Sequence, residues 1–116
     1  MYKARVLVLE DDFYQAEDSR SRLSEAGADV VVMTGTTRGA LASLDKVPID
    51  IGLLDVNLGG VKSFDVVRAL RERGVPVLLL TGYEPFVLPP DLTDTPMITK
   101  PADWDAVIAR LEELLA

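Results

Sequence analysis

Apolar runs of strand length alternate with segments of helical spacing along the chain. The runs lie at residues 5–9, 30–33, 49–54, 77–80 and 97–99. Helices are predicted at about 13–26, 36–44 and 63–73, and from Asp103 to the end of the chain, where apolar residues recur at helical spacing. This alternation predicts βα units and therefore an α/β fold with a doubly wound parallel sheet.

Residues that cap helices stand at the predicted N-termini. Thr36 or Thr37, Ser63 and Asp103 are of the types whose side-chain oxygen accepts a hydrogen bond from the first turn of a helix. A helix is also due between Thr81 and Lys100, but this segment holds prolines at 85, 89, 90 and 96. Proline lacks a backbone N–H and clashes with the preceding turn, so the fourth helix is expected to be short or missing.

Size and charge exclude several classes of protein. The 116 residues are enough for one domain over the whole chain, and 48% hydrophobic residues exclude a disordered chain. A net charge of −7 argues against nucleic acid or an anionic membrane as a direct partner. No apolar stretch approaches the ~20 residues needed to span a bilayer. We expect a cytoplasmic protein. The chain has no histidine and no cysteine, so its own residues cannot supply imidazole or thiolate chemistry.

Polar side chains follow the predicted strands at the point where each strand ends. Glu10 and Asp11 follow the first strand, Asp55 the third, Thr81 and Gly82 the fourth, and Lys100 the fifth. Because the carboxyl ends of parallel strands meet at one edge, where α/β proteins bind ligands, these groups should converge. Three carboxylates repel one another unless a cation lies between them, and all-oxygen ligands suit Mg²⁺ or Mn²⁺.

Each of these short patterns is common when it stands alone. An acidic cluster after a strand is usually a helix cap with a solvated first turn, an aspartate after an apolar run is often a turn residue, and Lys-Pro is usually a loop dipeptide. Their order along the chain is more specific. A carboxylate can attack phosphorus to form an aspartyl phosphate, and a lysine, a hydroxyl and a backbone N–H could balance the developing charge.

The order resembles that of the receiver domain of bacterial two-component response regulators, over essentially the whole chain. The residues that carry the resemblance are Glu10-Asp11-Asp12, Asp55-Val56-Asn57, Thr81-Gly82 and Lys100-Pro101. The resemblance implies a flavodoxin-like, five-stranded parallel sheet in the order 2-1-3-4-5. It further implies Asp55 as phosphoacceptor, Asp11 as a direct Mg²⁺ ligand, Glu10 as a ligand through water, and the carbonyl of Asn57 as a further ligand.

The resemblance also implies a phosphate-binding and switching group. Thr81 would be the switch hydroxyl, with the Gly82 N–H beside it, and Lys100 would contact the phosphoryl group and the carboxylate. The bond between Lys100 and Pro101 would be cis.

Three departures from the family pattern change the expected switch. Gly59 and Gly60 replace a proline, which predicts a looser loop, and Met97 stands at the position of an aromatic switch residue. The third departure is the proline-rich segment. We therefore expect the segment from 81 to 100, with Tyr83 and Phe86, to reorder on phosphorylation, and Tyr83, Met97 and Pro101 to take part in the conformational coupling.

Three functions compete. The leading hypothesis is a stand-alone signalling switch, not an enzyme beyond its own phosphorylation and slow dephosphorylation. It would accept a phosphoryl group from a histidine kinase or histidine phosphotransfer protein and act on a downstream protein target, as a monomer or as a homodimer. The second is an interaction module that keeps the fold without phosphorylation, against which the intact site argues. The third is a hydrolase of the haloacid dehalogenase type, which would need an acid where this chain has Asn57.

Overall fold

The computed structural model describes residues 1–82 and 86–116. In chain order the elements are β1 (Arg5–Leu9), α1 (Phe13–Glu25), β2 (Asp29–Thr34), α2 (Thr37–Ser43), β3 (Ile51–Asp55), β4 (Asn57–Leu58), β5 (Val61–Lys62), α3 (Phe64–Glu72), β6 (Val77–Thr81), a 3₁₀ turn (Pro90–Leu92), β7 (Met97–Thr99) and α4 (Trp104–Leu115). Within those ranges, no helix is both long and apolar enough to cross a membrane.

Five parallel strands form one sheet in the order β2-β1-β3-β6-β7. Leaving aside the two-residue strands β4 and β5, this is the order 2-1-3-4-5 that the resemblance implies. The third strand begins at Ile51, two residues later than the sequence predicts. The cause is Asp50, whose carboxylate accepts hydrogen bonds from the backbone and side chain of Arg5 and so ties the start of β1 to the residue before β3.

Alternate residues of each central strand enter two separate cores. Leu7 and Leu9 of β1 pack with α2 and α3 on one face, while Val6 and Val8 pack with α1 and α4 on the other. A sheet buried on both faces needs apolar side chains in both directions, which explains the continuous apolar runs in β1, β3 and β6. The apolar stripe of α4 lies in the second core.

The predicted helix caps are partly confirmed. Thr36 accepts a hydrogen bond from the Gly39 N–H and Asp103 from the Asp105 N–H. Ser63 stands at the N-cap of α3 as predicted, but its side chain makes no capping hydrogen bond, and its hydroxyl is buried without a partner among the described residues. The side-chain cap predicted for Ser63 is therefore wrong. Its backbone carbonyl accepts the first helical hydrogen bonds, from Val66 and Val67, as the carbonyl of an N-cap residue ordinarily does.

A β-hairpin with a two-residue turn follows Asp55, where the sequence predicts a looser loop. Strands β4 and β5 pair antiparallel, with Asn57 opposite Lys62. Gly59 and Gly60 form the turn with φ of 61° and 95°, a conformation that favours glycine at both positions. The side chain of Asn57 accepts a hydrogen bond of 2.9 Å from the Gly60 N–H. The two glycines thus close a regular turn.

The proline-rich segment holds a single 3₁₀ turn within residues 86–96, in agreement with the expected loss of the fourth helix. Two arginines of α3 bind this segment. Arg68 makes a two-pronged ion pair with Asp91, with contacts of 2.8 and 3.2 Å. Arg71 binds Asp94 in the same way at 2.8 and 3.1 Å. We call these four residues the arginine clamp. It fixes the turn, whose last residue, Leu92, is 1% exposed and packs in the first core.

Candidate phosphoacceptor site

The ends of the central strands bring the predicted polar residues together. Glu10 directly follows β1, and its N–H donates to the Thr34 carbonyl at 3.0 Å. Asp55 is the last residue of β3 and Thr81 the last of β6. Lys100 follows β7, and its N–H donates to the Thr81 carbonyl at 2.6 Å. Backbone pairing across neighbouring strands thus sets the positions of all four residues.

Glu10, Asp11 and Asp55 form an acidic cluster. One carboxylate oxygen of each lies within 4.8 Å of the other two. Burial raises the pKa of Asp11, and the hydrogen bond and negative charge of Glu10 raise it further. Three carboxylate oxygens this close together suit a hard divalent cation. The residues therefore fit Mg²⁺ or Mn²⁺, as the sequence predicts.

Lys100 is the positive group that contacts the acidic cluster. Its ammonium nitrogen lies 2.7 Å from Asp55 Oδ1 and 2.8 Å from Glu10 Oε1. Burial disfavours the charged form, but the hydrogen bonds with Asp55 and Glu10 outweigh it, so the pKa of Lys100 is raised above its ordinary value. The lysine therefore remains an ammonium donor at any physiological pH.

A cavity of about 380 Å³ opens beside Asp55. Of the predicted site residues, it is lined by Asp55, Asn57, Thr81, Gly82 and Lys100. Thr81 is 6% exposed, so its side chain is almost completely enclosed by the protein. A carboxylate, a hydroxyl, an ammonium and an unobstructed glycine thus surround a space large enough for a tetrahedral anion.

The residues predicted to couple the site to the rest of the molecule lie outside this cavity. Met97 is 44% exposed on the edge strand β7 and does not contact the cavity. The Lys100–Pro101 bond is cis, as the resemblance implies. Pro101 lines a neighbouring groove together with Trp104. Tyr83 lies outside the described residues, so its predicted role stays a prediction.

Two residues at the site, Gln15 of α1 and Lys62 of β5, were missed in the sequence, and both line the cavity. Phe86 was named only as part of the segment expected to reorder, and it lines the cavity as well. Gln15 accepts a hydrogen bond of 2.7 Å from the Lys100 ammonium. The Gly59-Gly60 turn was the available signal for Lys62, because a two-residue hairpin brings the residue opposite Asn57 back to the site. No local pattern distinguishes Gln15 from an ordinary helix residue.

The chain matches the family model of the response regulator receiver domain over residues 6–112. It belongs to this family. Among curated proteins it is 33% identical to the sensory transduction protein RegX3 of Mycobacterium tuberculosis, over 95% of this chain and 50% of that protein. It is 34% identical to the transcriptional regulatory protein QseB of Escherichia coli O157:H7, over 96% of this chain and 52% of that protein. The chain thus spans about half the length of these relatives.

Solved structures agree with this assignment. SdrG of Sphingomonas melonis Fr1 is 33% identical and superposes with a TM-score of 0.84, with 98% of each chain covered. The receiver domain of PhyR from Erythrobacter litoralis, at 24% identity and a TM-score of 0.87, shares the fold.

Proposed function

We propose that the chain is a phosphorylatable switch in which Asp55 accepts a phosphoryl group from a phosphohistidine of a kinase or phosphotransfer protein. An oxygen of the Asp55 carboxylate attacks phosphorus, the phosphorus–nitrogen bond breaks, and the imidazole leaves with its electron pair and takes up a proton. The observation that carries this proposal is the contact of 2.7 Å between Lys100 Nζ and Asp55 Oδ1, two residues that line the same cavity as Thr81.

The residues around Asp55 are of two kinds, donors to the phosphoryl oxygens and ligands for a cation. Lys100 and the Thr81 hydroxyl are placed to donate to phosphoryl oxygens, and Gly82 leaves room for them. Glu10, Asp11 and Asp55, with the Asn57 carbonyl, would hold Mg²⁺. When bound, this ion would neutralise negative charge on the phosphoryl group. The transferred group would then draw the Thr81 hydroxyl towards Asp55, while Lys100, which already contacts Asp55, would donate to the phosphoryl oxygens. The movement of Thr81 would change the surface that a downstream protein contacts.

Asn57 argues against a hydrolase. A phosphoaspartate hydrolase needs a second carboxyl group near the nucleophile to activate water. The residue two positions after Asp55 is an amide whose oxygen is bound to the Gly60 N–H. The aspartyl phosphate would therefore persist long enough to signal.

That the protein acts as a stand-alone regulator, and that it forms a homodimer, stay predictions.

Labelling by a small phosphodonor tests the proposal. Incubation with phosphoramidate and Mg²⁺ should add the mass of one phosphoryl group to the intact protein, and chelation of Mg²⁺ should prevent it. The Asp55→Asn variant should take no label, whereas the matched Asp45→Asn variant, altered on an exposed loop, should label as the wild type does. Label that persists in Asp55→Asn would overturn the assignment, and an unlabelled wild type would favour the interaction module. Continuous turnover would favour the hydrolase.

A further inference from the structure

The ammonium group of Lys100 has three acceptors, and only two of them are charged. They are Glu10 Oε1 at 2.8 Å, Asp55 Oδ1 at 2.7 Å and the side-chain oxygen of Gln15 at 2.7 Å. A lysine ammonium carries three protons, so these contacts satisfy it completely. Since the ammonium can only donate, the Gln15 amide must present its oxygen to it.

Gln15 does not make the capping hydrogen bond that is typical of a glutamine at its position in α1. It is the third residue of the helix after the cap Asp12, whose carboxylate accepts from the Gln15 N–H at 2.9 Å. A glutamine at this position ordinarily returns a hydrogen bond to the backbone N–H of the cap residue. Here the second oxygen of Glu10 accepts from the Asp12 N–H, at 3.3 Å. The Gln15 side chain is thereby released to reach Lys100, 85 residues away in sequence.

The two charged acceptors of Lys100 both belong to the acidic cluster. A divalent cation or a phosphoryl group that occupies the cluster competes with Lys100 for Glu10 and Asp55. The Gln15 oxygen is neutral and is not one of the three carboxylates of the cluster, so it remains available to the lysine when the carboxylates bind a cation or a phosphoryl group.

We infer that Gln15 is a positioning residue that holds the Lys100 ammonium at the mouth of the cavity while the acidic cluster is occupied. The inference rests on the proposed phosphorylation of Asp55. Gln15 acts through Lys100 and does not itself need to touch the phosphoryl group. Its loss should slow phosphoryl transfer because the lysine then has no fixed acceptor near the reacting atoms.

A double-mutant cycle tests this role. The variants are Gln15→Met, Lys100→Met and the double variant, and Ser21→Met is the control because it places the same side chain on an exposed part of α1. The maximal rate of labelling by phosphoramidate at saturating Mg²⁺ should fall about fivefold in Gln15→Met, the effect of one hydrogen bond to a partly exposed charge. In the Lys100→Met background the same change should cause no further loss.

A second measurement covers the case in which Lys100→Met labels too slowly to follow. In Mg²⁺-loaded protein, proton exchange of the Lys100 ammonium, measured by nitrogen-15 NMR, should be faster in Gln15→Met than in the wild type or Ser21→Met. A wild-type labelling rate in Gln15→Met, equal losses in both backgrounds, or unchanged ammonium exchange would overturn the inference while leaving phosphorylation intact. A wild type without any label would overturn both.

Discussion

Replacing Lys100 with methionine should make the stability of the protein depend more strongly on Mg²⁺. The change removes the ammonium that contacts Glu10 and Asp55 while keeping most of the aliphatic volume of the side chain. Glu10 is 8% exposed, so its charge cannot be fully hydrated once the lysine is gone. The variant should therefore be less stable than the wild type when no divalent cation is present.

The size of the loss follows from the burial of the three side chains. Breaking a fully buried ion pair costs about 3–5 kcal/mol, whereas an exposed pair contributes roughly 0–1 kcal/mol. The side chains of Lys100, Glu10 and Asp55 are 22%, 7% and 13% exposed, which places the site between these limits. We expect the free energy of unfolding to fall by about 2 kcal/mol, which lowers the urea midpoint by about 1 M.

Urea unfolding with chelator and with Mg²⁺, at matched ionic strength, measures the effect. Lys46→Met serves as the control because Lys46 is exposed and makes no ion pair within the described part of the chain. Mg²⁺ should recover most of the stability lost in Lys100→Met and should stabilise this variant more than the wild type, since the cation replaces the missing positive charge. If Lys100→Met were less stable than the wild type by the same free energy in chelator and in Mg²⁺, the idea that the lysine and the cation bind the same carboxylates would be refuted.

Two further predictions concern ion pairs away from the site. Arg71→Gln should lower the melting temperature by a few degrees and speed amide exchange at Thr95, because it opens the arginine clamp, whereas Arg110→Gln, at an exposed pair within α4, should change neither. An unchanged Thr95 amide would show that the clamp does not hold the turn. The Arg5 side chain holds the pKa of Asp50 below its ordinary value, so this pair stabilises the protein above about pH 4 and the stabilisation is lost as pH falls through the folded pKa. Acid titration of stability should therefore be shallower in Asp50→Asn, and identical curves would contradict this.

The sheet and most of the site could be predicted because their signals are local in sequence. An apolar run followed by an acid, a threonine or a lysine marks the end of a buried parallel strand, and the parallel arrangement brings those ends to one edge. Glu10, Asp55, Thr81 and Lys100 each stand directly at such an end. Backbone pairing then fixes their relative positions almost independently of the helices.

The arginine clamp and Gln15 could not be predicted because their partners are distant in sequence. Arg68 and Arg71 have the spacing of neighbours on a helix face, and such charges usually lie in solvent. Their partners lie in the turn that replaces a helix, 23 residues further along the chain. Gln15 occupies a position where capping already explains a glutamine, so nothing in the sequence indicates that it reaches Lys100.

The clamp changes how the switch is expected to work. The sequence predicts that the whole segment from 81 to 100 reorders, since prolines leave it few backbone hydrogen bonds. Four charged side chains tie the 3₁₀ turn to α3, and Leu92 of that turn is buried in the first core. Reordering of this half of the segment would therefore break ion pairs and apolar contacts. Phe86 contacts both the first core and the cavity beside Thr81. A movement of Thr81 would therefore reach the surface first through Phe86 and its neighbour Val87, which is 89% exposed, rather than through Met97. We therefore expect phosphorylation to reorder the part of the segment that precedes Asp91, and not the turn held by the arginine clamp.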